Sequence, residues 1–303
     1  MELDQLRAFL AVSEAGGFTR AATVLASTQP TLSRQVKALE TELGQPLFDR
    51  LGRHIQPTTF GKVFAKRARA LLADADALLA AGSDVEGELA GELRLGVADS
   101  VVLSRFPRIL ARFNRRHPDV LAHIQTGSSP QILTWVRDGR CDAGLCMLPQ
   151  AHPGLVLRPL WNDRFIAIST PCHALAGRRV PLEVFAAQRQ ILISPGTLSH
   201  QVLTAAYQSQ GLPLVPAMDF DNFTLIAEFV AAGVGVGICS STVAEPYLKA
   251  GTVKHVRIGI IDRITRRLGL VLHADRAASP LLSALVAEID RPAKRGSRRR
   301  TTR

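Results

Sequence analysis

Residues 18–37 read FTRAATVLASTQPTLSRQVK, from Phe18 to Lys37. Two short helical patterns meet here at a tight turn around Ala26-Ser27. Ala21, Ala22 and Leu25 share one face of the first pattern. Leu32, Val36 and, just beyond, Leu39 share one face of the second, at the spacing of an amphipathic helix. Thr28 is placed to cap the second helix, and Pro30 falls in its first turn, where a missing N–H costs nothing. The opposite face then carries Gln29, Thr31, Ser33, Arg34 and Lys37. Such amide, hydroxyl and cationic groups suit base edges and phosphates in a DNA major groove.

Working outward, Leu3, Leu6, Phe9, Leu10 and Val12 predict a first helix over 3–15, ended by Gly16-Gly17. Thr19 is the expected cap of the next helix. Gly44 stops the polar helix, and 46–58 predicts a two-stranded wing turning at Gly52. Its Arg50 and Arg53 are candidates for phosphate or minor-groove contact. A long helix follows over 58–82. Phe64, Ala68, Leu71, Ala75 and Leu78 alternate by four and three residues along it, the spacing of a two-helix seam. The N-terminal part offers this seam no partner, so it is expected to meet its own copy in a dimer. The stretch Gly82-Ser83-Asp84 to Gly91 predicts a hinge.

The 303 residues allow two or three domains, and their net charge of +11 is unevenly placed. Residues 291–303 hold seven Lys/Arg and no acid, so the rest of the chain carries +4. This tail predicts a disordered, solvated end able to add nonspecific phosphate affinity. Residues 20–69 carry a local +6, whereas 70–90 hold five acids and no base. No apolar run approaches the ~20 residues of a membrane span, and Met-Glu-Leu-Asp-Gln shows no secretory signal. A cytoplasmic protein is expected. Cys141, Cys146, Cys172 and Cys239 form no CxxC pair and read as reduced thiols in or near a core.

From residue 93 strands and helices alternate. A strand over 93–98, helix 102–116, strand 121–126, helix 130–138 and strand 142–147 are matched by strand 190–194, helix 198–210, strand 214–220, helix 223–232 and strand 234–239. Pro118 and Pro213 each precede the second strand, and Gly139 and Gly233 each end the second helix. Two parallel-sheet units of one design follow, with 164–170, 253–258 and 268–273 as further strands and 280–289 as a helix. In such sheets ligands sit beyond the carboxyl ends of the strands. Ala98-Asp99-Ser100, Gly127-Ser128-Ser129, Pro195-Gly196-Thr197 and Asn222-Phe223-Thr224 all lie there, each at a helix start that favours an anion. The candidate ligand residues are Ser100, Val101, Ser128, Ser129, Thr197, Asn222, Phe223 and Thr224. Taken singly, each of these reads first as a mere N-cap; the paired layout of the four carries the ligand reading.

Other classes fit less well. A solute-binding protein needs the two-lobed part but neither 18–37 nor a basic wing. An enzyme needs a catalytic set, and the adjacent Ser199-His200 makes no triad. Gly233-Val234-Gly235-Val236-Gly237 lacks the third glycine of a dinucleotide loop, since Ser240 stands in its place. Asp142 and Asp163 have no His or Cys at metal spacing. No cofactor, metal or catalytic residue is expected.

Leu6-x2-Phe9, Ala21-Ala22-x2-Leu25, Thr28-Gln29-Pro30, Leu32-Ser33-Arg34-Gln35, Leu39-Glu40-x2-Leu43-Gly44, Pro46-Leu47-Phe48-x-Arg50 and Thr58-x2-Gly61 resemble the LysR-type transcriptional regulators. Val230-Ala231-Ala232-Gly233-x-Gly235 is similar to their effector domain. The resemblance spans the chain to about residue 290. It implies an all-α winged helix-turn-helix over 1–58, a linker and dimerisation helix with hinge over 59–90, and a periplasmic-binding-protein-like α/β domain over 91–290. Lobe I of that domain would take 91–162 and 267–290, lobe II 163–266, and a small inducer would bind between them; the helix starts above favour an anionic one. The resemblance further implies groove contacts by Gln29, Pro30, Ser33 and Arg34, a wing contact by Arg53, and ligand hydroxyls at Ser100, Ser128 and Thr224. Its expected partners are an inverted-repeat promoter DNA, the effector, its own copies up to a tetramer, and RNA polymerase. Ser27, Phe60 and Ser240-Ser241 depart from the family pattern.

Overall fold

A computed structural model describes residues 1–51, 54–83, 89–274 and 280–291. Gly52, Arg53, the centre of the hinge and the tail from 292 lie outside the described residues. The chain divides into two compact units, one of Met1–Gly87 with Arg137–Arg140 and one of Glu88–Val136 and Cys141–Arg303.

The first unit starts with α1 (Leu3–Ala15), which buries Leu6, Phe9, Leu10 and Val12 and stops at Gly16 in the left-handed region. The next helix, α2 (Phe18–Val24), is capped by Gly17 rather than by the expected Thr19, which lies inside it. Its buried Ala21 and Ala22 admit α3 (Gln29–Leu43) at close range. Thr28 caps α3, its Oγ1 accepting from Thr31 N at 3.4 Å, and Gly44 ends it. Leu32, Val36 and Leu39 enter a core with Phe9 and Phe48. Glu40 is also buried there, and its Oε1 accepts from Leu47 N at 2.8 Å and Phe48 N at 3.4 Å, which fixes the start of the wing. The wing pairs β1 (Phe48–Leu51) with β2 (His54–Pro57), antiparallel.

Thr58 joins the wing to α4 (Thr59–Ser83). Its Oγ1 donates to Pro46 O at 2.9 Å and accepts from Gly61 N at 2.8 Å. A Cβ on Gly61 would stand 2.1 Å from Leu47 O, so no other residue fits. The expected self-association seam is partly used within the unit itself. Ala68 is buried in the unit's own core, and Phe64 packs against the Phe9 ring at 5.6 Å. Val63 and Leu71 stay exposed, at 62% and 42%; the side chain of Leu78 lies outside the described residues.

The second unit opens with β3 (Gly91–Val97). The helix expected over 102–116 is split into α5 (Asp99–Val102) and α6 (Phe106–Arg116), because Pro107 favours a fresh first turn. Then come β4 (Val120–Thr126), α7 (Ser129–Arg137) and β5 (Ala143–Met147). β6 (Leu155–Ser169) is much longer than the strand expected over 164–170. α8 (Leu182–Ala186), β7 (Gln190–Ile193), α9 (Leu198–Gln208), β8 (Met218–Phe220), α10 (Phe223–Ala231) and β9 (Val236–Ser240) follow. The chain closes with α11 (Ser241–Ala250), β10 (Lys254–Val256), α12 (Gly259–Asp262), β11 (Thr265–His273) and α13 (Pro280–Asp290).

These strands lie in the order β4-β3-β5-β11-β6-β9-β7-β8, with β10 on β6. The outer triplets repeat one parallel design, β4-β3-β5 and β8-β7-β9. Each has its own apolar core, one around Leu95, Val136 and Leu270, the other around Ile191, Ile226 and Ile238. The duplication reaches single contacts. A Cβ on Gly144 of β5 would meet Ile132 and Val136 of α7, and one on Gly237 of β9 would meet Ile226 and Val230 of α10. The long antiparallel pair β6 and β11 joins the halves.

Candidate functional site

On α3 the buried Leu32, Val36 and Leu39 turn the opposite face outward. Gln29, Pro30, Arg34 and Lys37 are exposed, and Thr31 and Ser33 are half-buried. Among the described residues neither Arg34 nor Lys37 has a carboxylate partner. Thr31 Oγ1 is within 2.8 Å of Thr28 Oγ1, so this hydroxyl serves the cap. Arg50 stands on β1, with its side chain outside the described residues, as is Arg53. The face presents hydrogen-bonding groups and uncompensated positive charge on a rigid rod.

In the second unit the starts of α5, α7, α9 and α10 converge on a cleft of about 30 Å³. Ser100, Ser128, Ser129, Thr197 and Phe223 line it, together with Asp99, Gly127, Ser199, Asp221 and Arg266. Three expected residues do not. Val101 is fully buried in the core. Asn222 is spent on α10, its Oδ1 accepting from Leu225 N at 3.0 Å. Thr224, the next residue but one, also lies off the lining. Thr197 lines the cleft while capping α9, accepting from His200 N at 3.0 Å. Ser128 Oγ donates to Gln131 Oε1 at 2.8 Å.

Arg266 of the cleft lining and its carboxylate partners were not among the expected ligand residues. Arg266 Nη1 donates to Asp163 Oδ2 at 2.6 Å, and Nη2 donates to Ser100 Oγ at 3.3 Å. Its guanidinium lies 4.7 Å from the Phe223 ring centroid and 5.3 Å from that of Phe165. Asp163 also accepts from Ser240 Oγ and Ser241 Oγ, each at 2.5 Å, and from Thr242 N and Oγ1 at 3.2 Å. Burial pushes the Asp163 carboxyl up, but Arg266 and the two serine hydroxyls outweigh it and hold the carboxyl below its ordinary range. Burial pulls Arg266 down against the carboxylates of Asp163 and Asp99. For Asp99 burial prevails over the N–H groups of Phe223 and Ser100, and the carboxyl is raised. Ser240-Ser241, a departure from the family pattern, is thus the cradle of Asp163. One signal pointed to Arg266: it shares a strand face with Leu268 and Leu270, so period-two alternation turns it inward.

Other chemistry-bearing residues have local partners. Ser199 Oγ faces Met147 Sδ at 3.5 Å and His200 Nδ1 faces Thr204 Oγ1 at 3.3 Å. Asp142 pairs with Arg94 at 3.0 Å. Cys141, Cys146 and Cys239 are buried free thiols, and Cys172 is exposed. Among the described residues no helix is long and apolar enough to cross a membrane.

Residues 3–62 match the family model described as bacterial regulatory helix-turn-helix protein, lysR family, and residues 86–292 match the LysR substrate binding domain. Over 275 residues the chain is 30% identical to a "probable hydrogen peroxide-inducible genes activator" of Mycobacterium avium, covering 89% of this chain and 87% of that one. A full-length OxyR variant from Pseudomonas aeruginosa has the same fold, with a TM-score of 0.74 at 22% identity over 95% of this chain and 94% of that one. CbnR in complex with its target DNA gives a TM-score of 0.66 at 22% identity, over 95% of this chain and 99% of that one. The chain belongs to the LysR family of bacterial helix-turn-helix regulators and is a ligand-responsive transcriptional regulator of that type.

Proposed function

We propose that α3 reads the major groove of an inverted-repeat promoter site, and that a small, anionic inducer held between the two lobes of the second unit sets when it does so. The observation that carries the first half is the split of α3. Its buried face fixes the helix, while Gln29, Ser33, Arg34 and Lys37 point away from the core with no carboxylate to neutralise them. Arg50 and Arg53 of the wing add phosphate contacts in this reading, and the basic tail adds nonspecific affinity.

The inducer's seat is the cleft lined by Ser100, Ser128, Ser129, Thr197 and Phe223. At about 30 Å³ it holds a water or two, so an organic molecule enters by parting the lobes. It shifts the regulator only by binding one lobe arrangement more tightly than the other. We place the lobe boundaries at 162/163 and 266/267, beside Asp163 and Arg266. The relative from Mycobacterium avium is named for hydrogen peroxide; in this chain the free thiols Cys146 and Cys239 are buried, whereas Cys172 is exposed. Cys146, bonded to Ser129 of the cleft, is pushed by burial to about 12, and burial also raises Cys239. Burial thus disfavours the thiolate form at both.

The copies meet through α4, whose Val63 and Leu71 are exposed apolar groups, and pair into a tetramer that engages RNA polymerase in the cytoplasm. Footprinting of the divergent promoter beside the gene tests the reading. Protection of two half-sites about one helical turn apart, or multiples of it, supports it, and an unprotected promoter overturns it.

A further inference from the structure

Asp99 opens α5 at the carboxyl end of β3, in the half of the sheet that also holds α7. Its Oδ1 accepts from its neighbour Ser100 N at 2.7 Å. Its Oδ2 reaches the other half and accepts from Phe223 N at 2.8 Å. Phe223 is the first residue of α10, a helix of nine residues. A helix start with free N–H groups and the positive end of the dipole is where an anion binds. The side chain of Asp99 therefore sits where the acid group of an anionic inducer would sit.

Arg266 gives an independent sign of a ligand at this spot. It is 3% exposed and lines the same cleft. Two of its nitrogens are engaged by Asp163 and Ser100, but Nε has no hydrogen-bond partner among the described residues. A buried guanidinium N–H asks for an acceptor. Asp163 is already saturated by Ser240, Ser241, Thr242 and the Arg266 Nη1 bond. The cleft floor thus offers one more donor than the chain answers. Asp99 itself is poorly solvated, and burial disfavours its charged form.

We propose that Asp99 is a tethered stand-in for the inducer. Its carboxylate latches the two lobes through the start of α10, and a small carboxylate effector takes over that seat, adds a bond to Arg266 Nε, and turns Asp99 out of the cleft. This rests on the cleft being the effector site. It also makes Asp99 a determinant of selectivity. A neutral molecule of the same shape cannot match the bond it displaces, and an anionic one is repelled until Asp99 leaves.

The test uses the full chain, with acetate as probe and chloride at equal ionic strength as control. Amide hydrogen exchange is followed at Phe223 and Thr224 in wild type, Asp99→Ala and Asp99→Asn. The expected result is exchange faster by about tenfold in Asp99→Ala, slowed again by millimolar acetate, with the wild type insensitive to the same acetate. Asp99→Asn, whose amide oxygen still accepts a bond, is expected to exchange faster than wild type by a smaller factor and decides the matter if the alanine variant does not fold. Wild-type exchange in either folded variant overturns the latch, as does acetate acting equally on wild type and variant. Acetate protection confined to segments away from residues 98–100 and 223–225 would instead remove the cleft reading on which the latch rests.

Discussion

Arg266 Nη1 lies 2.6 Å from Asp163 Oδ2, an ion pair between register partners on the two antiparallel strands that join the halves of the effector unit. Both side chains are buried. Taking two charges out of water is costly, and the pair stands because its geometry is completed by Ser100 on one side and Ser240, Ser241 and Thr242 on the other. Removing one partner leaves an uncompensated charge in a dry site. Asp163→Asn is expected to destabilise the protein by about 3–5 kcal/mol in urea unfolding. The double variant Asp163→Leu with Arg266→Met, which removes both charges, is expected to lose much less. A double variant as unstable as Asp163→Asn would show that the pair contributes through something other than charge balance.

The carboxyls of Asp99 and Asp163, both beside Arg266, respond to pH in opposite directions. Asp163 is held below its ordinary value of 3.8, so the folded state binds fewer protons there than the unfolded chain. Its stabilisation is present above 3.8 and lost as pH falls below it. Asp99 is raised from 3.8, so the folded state keeps its proton longer, and its contribution is lost as pH rises from 3.8 through the raised value. Relative to wild type, Asp99→Asn should therefore gain stability as pH rises above 3.8, whereas Asp163→Asn should lose it between acid and 3.8. Thermal unfolding across that range measures both. Parallel curves for the two variants would contradict the assignment.

Gly61 sits where the wing returns to α4, and a Cβ there would be 2.1 Å from Leu47 O. That oxygen is fixed, since it also accepts from Thr58 N at 3.0 Å. Gly61→Ala is expected to cost about 2 kcal/mol or more, because no flexible side chain can give way. Gly17→Ala is the control, its nearest neighbour being 3.9 Å away at the end of Arg20. Differential scanning calorimetry of both variants separates the two; equal melting shifts would mean that the wing yields.

Much of this fold was legible because its signals are local. Alternation and period gave the repeated strand-helix units, and Thr28 and Gly44 marked the ends of α3. What stayed hidden depends on distant partners. The length of β6 was masked by Pro159 and polar residues around it, which β11 nonetheless pairs across a register shift at Leu268/Gly269. The seam residues Phe64 and Ala68 carry the right spacing for a copy, yet the unit's own core claims them first. At the cleft, helix starts and hydroxyls could be read from turn chemistry. The joining of Asp99, Asp163 and Arg266 could not, because these residues are brought together only when the two halves close on one sheet.

The recognition face offers the sharpest separation of roles. Arg34 and Ser33 stand near the start of α3, where side chains reach base edges, and Lys37 stands one turn further on. Loss of a base contact at Ser33→Ala or Arg34→Ala should weaken cognate binding by about 1–3 kcal/mol and relax sequence preference. A phosphate contact carries no sequence information, so Lys37→Ala should weaken cognate and random DNA alike and reduce the salt slope by about 1. Fluorescence anisotropy titrations over a series of salt concentrations, on promoter and scrambled duplexes, distinguish the two kinds of loss. Because Arg34 and Lys37 are exposed and Ser33 is only half-buried, the variants should melt within about 0.5 kcal/mol of wild type. Unaltered promoter affinity in both Ser33→Ala and Arg34→Ala would remove α3 from the DNA interface and leave the basic wing as its reader.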